Sequence, residues 1–232
     1  MSWLQRRRRS IALGTPEFGD IVTGVAIILA LVTSAHTSLT LAAVTGGIPQ
    51  SHRNYRLPYA DGTHVKVFED FATHTPRGRV DFFAAGRSRP HRVVAAAAGR
   101  VVAIQDGYRE QQSGRPAAEC HNNYVWIAHS NGEWTNYSHV AYHSVTRKAR
   151  LKIGDVVQAG QYIADEDEVG CAMFRHLHFE VAVPDPHHPI DSGGFLTDNE
   201  NGKRERAPRF CGVPDRFAIK GQSYTATPCR TP

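Results

Sequence analysis

The sequence of 232 residues lacks several short patterns that each mark a known class of enzyme. It has no H-E-x-x-H metal motif, no nucleophile turn of the G-x-S-x-G type and no phosphate-binding loop. Segments with the hydrophobic period of a helix are nearly absent, which disfavours a helical fold. The cysteines have no C-x-x-C spacing, which argues against a zinc site built from thiolates.

The positive charge of the chain is modest and is not gathered into a binding motif. The formal net charge is +5, and residues 6–9, all arginine, supply much of it. No basic stretch is interleaved with aromatic residues, so nucleic acid is not an expected partner. The remaining excess would help to retain the protein on an anionic polymer such as a cell wall.

Residues 1–45 have the pattern of a targeting segment rather than of a folded domain. The arginines at 6–9 precede a mostly apolar run at 21–32, and small residues follow at 33–35. This order predicts a signal peptide for export, whereas an apolar run extended to residue 44 would act as a membrane anchor. Both interpretations predict an exported protein, periplasmic, in the cell envelope or extracellular, that meets the membrane only through this segment.

Four cysteines follow, at positions 120, 171, 211 and 229. An even number of cysteines in an exported protein predicts two disulfides, for which three pairings are possible. We favour Cys120–Cys171, which would join two segments of the core, and Cys211–Cys229, which would close a C-terminal tail. Each disulfide would stabilise the fold by roughly 2 to 4 kcal/mol.

Short strands separated by close turns predict an all-β domain of antiparallel sheets. The clearest pair is the alternating stretch 123–129 and its return strand 134–140, which flank the hairpin turn Asn131-Gly132. Similar segments lie at 63–68, from Val80 onward, at 92–104 as a buried hairpin broken by Gly99, and at 152–163.

The predicted domain occupies residues 57–185 and has an appendage at each end. Residues 46–56 are expected to form a lead-in, within an exposed stretch that runs to residue 60. Beyond residue 185 the composition changes to Pro, Gly, Asp and Asn, which predicts a linker or a wrapping tail over residues 186–232. The acidic run 165–168 is expected to be a solvated loop at the rim of a cleft.

A histidine pair late in the chain gives the first indication of a functional site. In an extended strand His176, His178 and Glu180 share one face, while the apolar residues between them would pack into a core. With 13 histidines in the chain, random placement alone gives roughly 0.7 His-x-His pairs. The pair therefore needs partners elsewhere in the sequence.

Three more polar residues could complete a site with this pair, namely His74, Asp81 and His139. Two imidazoles and one carboxylate on zinc leave a fourth position for water, which is the arrangement of a catalytic site. Two further histidines would suit proton transfer and charge stabilisation, because the imidazole pKa lies near neutrality.

Five motifs stand in order along the chain. They are His74 with Asp81-Phe82, V-x-A-x-x-G-x-V at 94–101, G-x-x-T-x-Y-x-H at 132–139, G-x-x-V-x-x-G-Q-x-I at 154–163, and H-L-H-F-E at 176–180. Together they resemble the lysostaphin-type, LytM-like zinc endopeptidases of bacterial cell walls. The resemblance covers residues 57–183, and the spacing of His74 and Asp81 is similar to that of the β-lytic branch.

The resemblance implies a fold, a cofactor and a set of roles. Antiparallel sheets would form a groove, with a disulfide-stapled tail at the C-terminus. His74, Asp81 and His178 would be the zinc ligands, and His139 and His176 would be the catalytic histidines. His176 would help to deprotonate the zinc-bound water and His139 would stabilise the oxyanion, although the sequence does not decide which histidine has which role.

The activity implied by the resemblance is that of a zinc metalloendopeptidase that hydrolyses peptide bonds in peptidoglycan. The alternative is a non-catalytic relative that binds cell wall or regulates an amidase through the same groove. All five polar residues are present, which favours the enzyme.

Two departures from the family pattern are visible. Many members carry the first ligand four residues before the aspartate, where this chain has Arg77. His74 lies seven residues before Asp81, and a loop through residues 76–78 could absorb the difference. The second departure is Phe174-Arg175, which stands where small residues are common and would narrow the cleft.

Other conspicuous side chains have structural interpretations. His129 is expected to be a cross-strand partner, and His187-His188 to be solvated in the tail. Trp126 and Trp134 are expected to pack in a core. For Glu180, support of the metal site on the one hand and packing or solvent exposure on the other remain equal alternatives.

Overall fold

A computed structural model describes residues 47–86, 89–116 and 119–229 of the chain. The predicted signal peptide or anchor at residues 1–45 lies outside these residues. Within them, no helix combines the length and the apolar character that crossing a membrane requires.

The described part of the chain contains twelve β-strands and only short helical turns, so the all-β prediction is confirmed. The strands are β1 Gln50–Tyr55, β2 His64–Glu69, β3 Arg79–Ala85, β4 Arg92–Val94, β5 Gly99–Gln105, β6 Tyr124–Ala128, β7 Trp134–Ser138, β8 Val156–Val157, β9 Tyr162–Asp165, β10 Leu177–Ala182, β11 Glu205–Phe210 and β12 Ser223–Thr225. The helical turns are Ser144–Lys148, Glu200–Gly202 and Pro214–Arg216.

One large sheet contains ten of these strands, and β4 pairs with β9 in a second sheet. The order across the large sheet is β12-β2-β3-β10-β7-β6-β5-β8, and β11 pairs with both β10 and β1. Paired strands are antiparallel except for β1 and β11. The predicted hairpin is confirmed, because β6 and β7 pair across Asn131-Gly132, where Gly132 has a positive φ of 81°.

The two faces of the large sheet differ in polarity because side chains alternate along each strand. On one face Leu177, Phe179 and Val181 of β10 are fully buried, together with Val80 and Phe82 of β3. The opposite face carries a polar row in register across four strands: Asp81, His178, Ser138 and Tyr124. The apolar core therefore fixes the backbone from which the polar row projects.

Both ends of the described chain contribute strands, and the expectation of an exposed lead-in is wrong. β1 lies within residues 46–56, and Tyr55, Leu57 and Tyr59 are buried. β1 finds its partner in β11, far along the chain. Residues 186–232 are more than a tail, since β11 joins β10 and β12 joins β2 in the same sheet.

Two further expectations are wrong. The segment 92–104 is not a hairpin, because β4 pairs with β9 whereas β5 pairs with β6 and β8. The acidic run is not solvated throughout, since Asp165 and Glu166 are only 4% and 1% exposed. Glu166 accepts hydrogen bonds from the Tyr59 hydroxyl and the Ala84 N–H, and burial raises its pKa to about 7.

Both favoured disulfides are present. Cys120 and Cys171 are joined with their Cα atoms 5.6 Å apart, and Cys211 and Cys229 with theirs 5.2 Å apart. The first disulfide connects the loop before β6 to the segment that leads into β10. The second closes the C-terminal segment beyond β11.

Replacement of Tyr137 by Phe should destabilise the fold. The fully buried Tyr137 hydroxyl accepts a hydrogen bond from the Ala96 N–H at 2.7 Å and lies 3.1 Å from the Thr135 hydroxyl oxygen. Without it the Ala96 N–H loses its partner, which lowers the free energy of unfolding by about 1 to 3 kcal/mol. Urea denaturation of the oxidised protein measures this change.

Tyr108→Phe is the matched control for this prediction. The Tyr108 ring stacks on His121, and its hydroxyl forms no hydrogen bond within the residues that the structure describes. Equal losses of stability in the two variants would contradict the role of the Tyr137 hydroxyl.

Candidate metal centre

A cleft of about 420 Å³ lies over the polar face of the large sheet. Strands β3, β10, β7 and β6 contribute to its lining, together with the loops that enter and leave them. All five predicted site residues line this cleft: His74, Asp81, His139, His176 and His178.

Three of these residues lie close enough together to share a metal ion. The Asp81 carboxylate is 3.4 Å from His74 Nε2 and 3.1 Å from His178 Nδ1. One donor atom from each residue lies within 4.8 Å of the other two. Asp81 and His178 are cross-strand partners on β3 and β10, whereas His74 comes from the loop between β2 and β3.

The loop that carries His74 is held by Asp70. The Asp70 carboxylate accepts hydrogen bonds from the N–H groups of Ala72 at 3.0 Å and Thr73 at 2.9 Å. The Asp70 carbonyl accepts from the His74 N–H at 2.9 Å. Lys220, in the C-terminal segment, donates its N–H to the same carboxylate at 3.0 Å. The position of His74 therefore depends on residues from both ends of the domain.

The wide spacing of His74 and Asp81 is absorbed by an outward turn. Arg77, four residues before Asp81, is exposed and donates to the Ala72 carbonyl at 3.3 Å. Gly78 has a φ of 96°, and a Cβ atom there would lie 2.4 Å from Glu205 Cβ, so the turn requires glycine. His74, and not Arg77, lies beside Asp81.

Backbone hydrogen bonds determine which nitrogen of three histidines remains free. Nδ1 of His74, His139 and His176 lies 2.8, 2.7 and 2.8 Å from a backbone carbonyl oxygen. Because a carbonyl only accepts, Nδ1 carries the proton in each neutral ring and Nε2 keeps its lone pair. His74 Nε2 can bind a metal, and Nε2 of His139 or His176 can accept a proton.

Burial and hydrogen bonding set the charges in the cleft. Burial opposes ionisation of Asp81, but hydrogen bonds with His178 and His74 outweigh it and hold the Asp81 pKa well below its usual range. Burial, aided by the neighbouring imidazoles, lowers the pKa of His139 to about 3, and burial also lowers the pKa of His176. At neutral pH Asp81 is therefore an anion, and His139 and His176 are neutral.

His139 and His176 form a pair beside the three clustered residues. Their ring centroids are 4.6 Å apart, and His176 Nε2 lies 3.7 Å from the Asp81 carboxylate. The backbone of His139 has a φ of 62°, which residues other than glycine rarely adopt. Its N–H donates to the Asn123 carbonyl at 3.0 Å, which holds this conformation and directs the ring into the cleft.

A group of buried charges lies next to the cluster, and two of its members, Arg79 and Glu205, were missed in the sequence. Arg79 Nε lies 3.3 Å from the Glu180 carboxylate, and Arg79 Nη2 lies 3.5 Å from the Glu205 carboxylate. Glu180 and Glu205 are 3% and 0% exposed. Glu180 Oε2 is also 3.8 Å from His178 Nε2, so it connects these charges to the three clustered residues. No motif contains Arg79 or Glu205, and only the fold brings them together.

The other conspicuous histidines have the expected structural roles. His129 bonds through Nδ1 to the Ala98 carbonyl and through Nε2 to the Thr135 hydroxyl, each at 2.9 Å. His187 and His188 are exposed and do not line the cleft. Trp126 is buried in a small separate core with Ala182 and Leu196.

A comparison with protein families identifies this architecture. Residues 77–191 match the model of Peptidase family M23. Through this segment the chain belongs to peptidase family M23. The resemblance to lysostaphin-type peptidases is thereby confirmed, whereas the assignment to the β-lytic branch stays a prediction. The matched segment contains Asp81, His139, His176 and His178 and begins three residues after His74.

Several solved peptidases are similar to the chain. A zinc-containing peptidase from Vibrio cholerae is 24% identical, with 56% of this chain and 36% of that chain covered and a TM-score of 0.38. The lysostaphin catalytic domain from Staphylococcus simulans is 22% identical, with 62% and 88% covered and a TM-score of 0.33. The metalloprotease pseudoalterin, from the deep sea, is 18% identical, with 76% and 96% covered and a TM-score of 0.40.

The chain spans about a third of the length of the Vibrio protein, with 36% covered. A search of curated proteins found no match.

The clustered donor atoms fit the zinc ion on which M23 peptidases depend. Zinc accepts imidazole nitrogen and carboxylate oxygen, and three protein ligands are typical of its catalytic sites. His74, Asp81 and His178 supply two imidazoles and one carboxylate in one cleft. The backbone bond of His74 Nδ1 leaves Nε2 as its free donor.

Replacement of Arg79 by Met should destabilise the fold strongly. It would leave the Glu180 and Glu205 carboxylates buried beside each other without their cation. Breaking a buried ion pair in this way costs about 3 to 5 kcal/mol of the free energy of unfolding, which urea denaturation measures.

Arg77→Met is the matched control for the Arg79 variant. Arg77 is exposed, and its replacement should change stability by no more than about 0.5 kcal/mol. A loss for Arg79→Met no larger than that of the control would show that the buried charges do not depend on Arg79.

Proposed function

We propose that the chain is a zinc metalloendopeptidase that hydrolyses peptide bonds in bacterial peptidoglycan. The observation that carries this proposal is that His74, Asp81 and His178 meet in one cleft with His139 and His176 beside them. M23 peptidases act on peptidoglycan, so membership of the family supports the substrate class.

In this proposal His74, Asp81 and His178 hold the zinc ion. When bound, zinc polarises a peptide carbonyl and lowers the pKa of water that it holds. The chain supplies the orientation of these ligands: the Pro76 carbonyl fixes His74, and the Glu180 carboxylate faces His178 Nε2 at 3.8 Å. The Asp81 carboxyl group would already be ionised before zinc binds, because its pKa lies well below its usual range.

The two remaining histidines would move protons and stabilise charge. His176 would accept a proton from the attacking water at Nε2, which its Nδ1 bond to the Phe174 carbonyl leaves free. His139 would face the carbonyl oxygen on which negative charge develops. In the neutral ring His139 has its proton on Nδ1, bonded to the Val169 carbonyl, so its Nε2 would stabilise that oxygen after accepting the proton that His176 takes from the water.

The remaining features of the chain fit an exported cell-wall protein. Two disulfides indicate an oxidising compartment outside the cytoplasm. The net charge of +5 favours contact with an anionic wall. The proposed location is the periplasm, the cell envelope or the extracellular space, with residues 1–45 as a signal peptide or membrane anchor.

Purified sacculi test the activity directly. The oxidised, zinc-loaded full chain should release peptides from sacculi, and a chelator should abolish this release because the metal ligands lose their ion. Mass spectrometry of the soluble fraction identifies the bond that is cut. Sacculi that are bound but yield no chelator-sensitive product would overturn the enzyme and favour a non-catalytic, wall-binding relative.

Replacement of single ligands tests the metal site. His178→Ala and His74→Ala should each reduce bound zinc to well below one ion per chain, because two ligands do not hold zinc firmly. Zinc retained after exhaustive dialysis is measured by elemental analysis. His187→Ala, which changes an exposed histidine outside the cleft, is the matched control and should keep full occupancy. Full occupancy in His74→Ala would exclude His74 as the first ligand.

A further inference from the structure

The lining of the cleft contains exposed apolar side chains as well as polar ones. Met173 and Phe195 are 69% and 41% exposed, and both line the cleft that holds the metal centre. Water-exposed apolar side chains at a binding cleft lose unfavourable contact with water when an apolar ligand covers them. The polar residues that account for catalysis leave these side chains unexplained.

An aromatic wall leads from the β2 side of the cleft to a catalytic histidine. The Phe174 ring lies edge-on to Phe68 with centroids 4.7 Å apart, and edge-on to Phe83 at 6.1 Å. On its other side Phe174 contacts the His176 ring at 5.1 Å. Phe68, Met173 and Phe174 line the cleft, while Phe83 supports them from β3. Apolar surface therefore reaches the proposed reacting groups.

The segment that carries this wall is held rigidly. Cys171 is bonded to Cys120, and the Ala172 carbonyl accepts a hydrogen bond from the Gln111 amide at 2.8 Å. Arg175 pairs with Asp167 at 2.6 Å. These contacts flank Met173 and Phe174 on both sides, so the wall is preformed rather than assembled by a ligand.

The charges nearest the wall are engaged with each other. Arg175 is paired with Asp167, and Glu69, next to Phe68 in β2, is paired with Lys220 at 2.7 Å. A charged substrate side chain would find no free partner in these pairs, whereas an apolar side chain could cover the wall without disturbing them.

We propose that Phe68, Met173 and Phe174 form a subsite for a bulky apolar side chain next to the peptide bond that is cut. This inference rests on the proposed peptidase function and extends it beyond peptidoglycan, whose peptides carry no bulky apolar side chain, to protein segments that do. A peptide of glycine alone would leave the wall in contact with water. The cleft therefore selects peptides with a residue such as leucine beside the cleaved bond over peptides with glycine there.

A pair of labelled peptides tests the subsite. Both are Gly-Ser peptides, and they differ only in one central residue, leucine or glycine. Binding to the zinc-loaded full chain is followed by fluorescence anisotropy, and cleavage by mass spectrometry. The leucine peptide should bind at least about tenfold more tightly, because filling a hydrophobic pocket discriminates by this factor or more. Met173→Ser and Phe174→Ser should each reduce that ratio by about threefold or more.

Ile153→Ser is the matched control, since Ile153 is 63% exposed but does not line the cleft. It should leave the ratio of affinities unaltered. Equal binding of the two peptides, or an unaltered ratio in Met173→Ser and Phe174→Ser, would overturn the subsite. If the leucine peptide binds more tightly but neither peptide is cleaved, the result supports the subsite and counts against the proposed peptidase. If both peptides are cleaved and bind equally well, the result supports the peptidase and overturns the subsite.

Discussion

The Asp81 carboxylate is the constraint on which the cleft depends. It is a buried anion, and three imidazoles lie within 3.7 Å of it, those of His74, His176 and His178. A buried carboxylate stays charged only where neighbouring groups compensate for lost water, and here hydrogen bonds with His74 and His178 hold its pKa well below the usual range. The geometry that stabilises this anion is also the geometry that fits a metal ion.

Two separate elements meet at Asp81, and the sheet positions only one of them. β10 lies directly against β3, so the pairing register brings His178 to Asp81 without further support. His74 lies on a loop, and its place depends on the Asp70 turn and on Lys220 from the C-terminal segment. The C-terminal segment also supplies Glu205, which closes the turn at Gly78 and pairs with Arg79. It is therefore part of the site's support rather than a simple appendage.

Features with a local cause could be predicted from the sequence. Alternation in 176–181 is a property of adjacent residues, and it correctly separated the cleft face from the core face of β10. The Asn131-Gly132 turn specified its own hairpin, because its backbone conformation requires glycine. Both disulfide pairings were also correct. The five polar residues were found because each lies in a motif, and the fold brings all of them to one cleft.

Features with a distant cause could not be predicted in this way. β1 has no strand signal of its own, because its partner β11 lies at the other end of the domain. The segment 92–104 contains two strands, but their partners come from elsewhere, so the expected hairpin does not form. Glu166 looks solvated in the sequence and is buried because Tyr59 reaches it from a distant segment. Composition alone cannot distinguish a paired strand from an exposed one.

In the proposed site His74, Asp81 and His178 hold one zinc ion. Anomalous diffraction at the zinc edge, from crystals of the zinc-loaded full chain, locates the metal without reference to activity. We expect a single strong peak in the cleft, bounded by these three side chains. A peak at His139 and His176 without His74, or no peak in the cleft at full zinc loading, would contradict it.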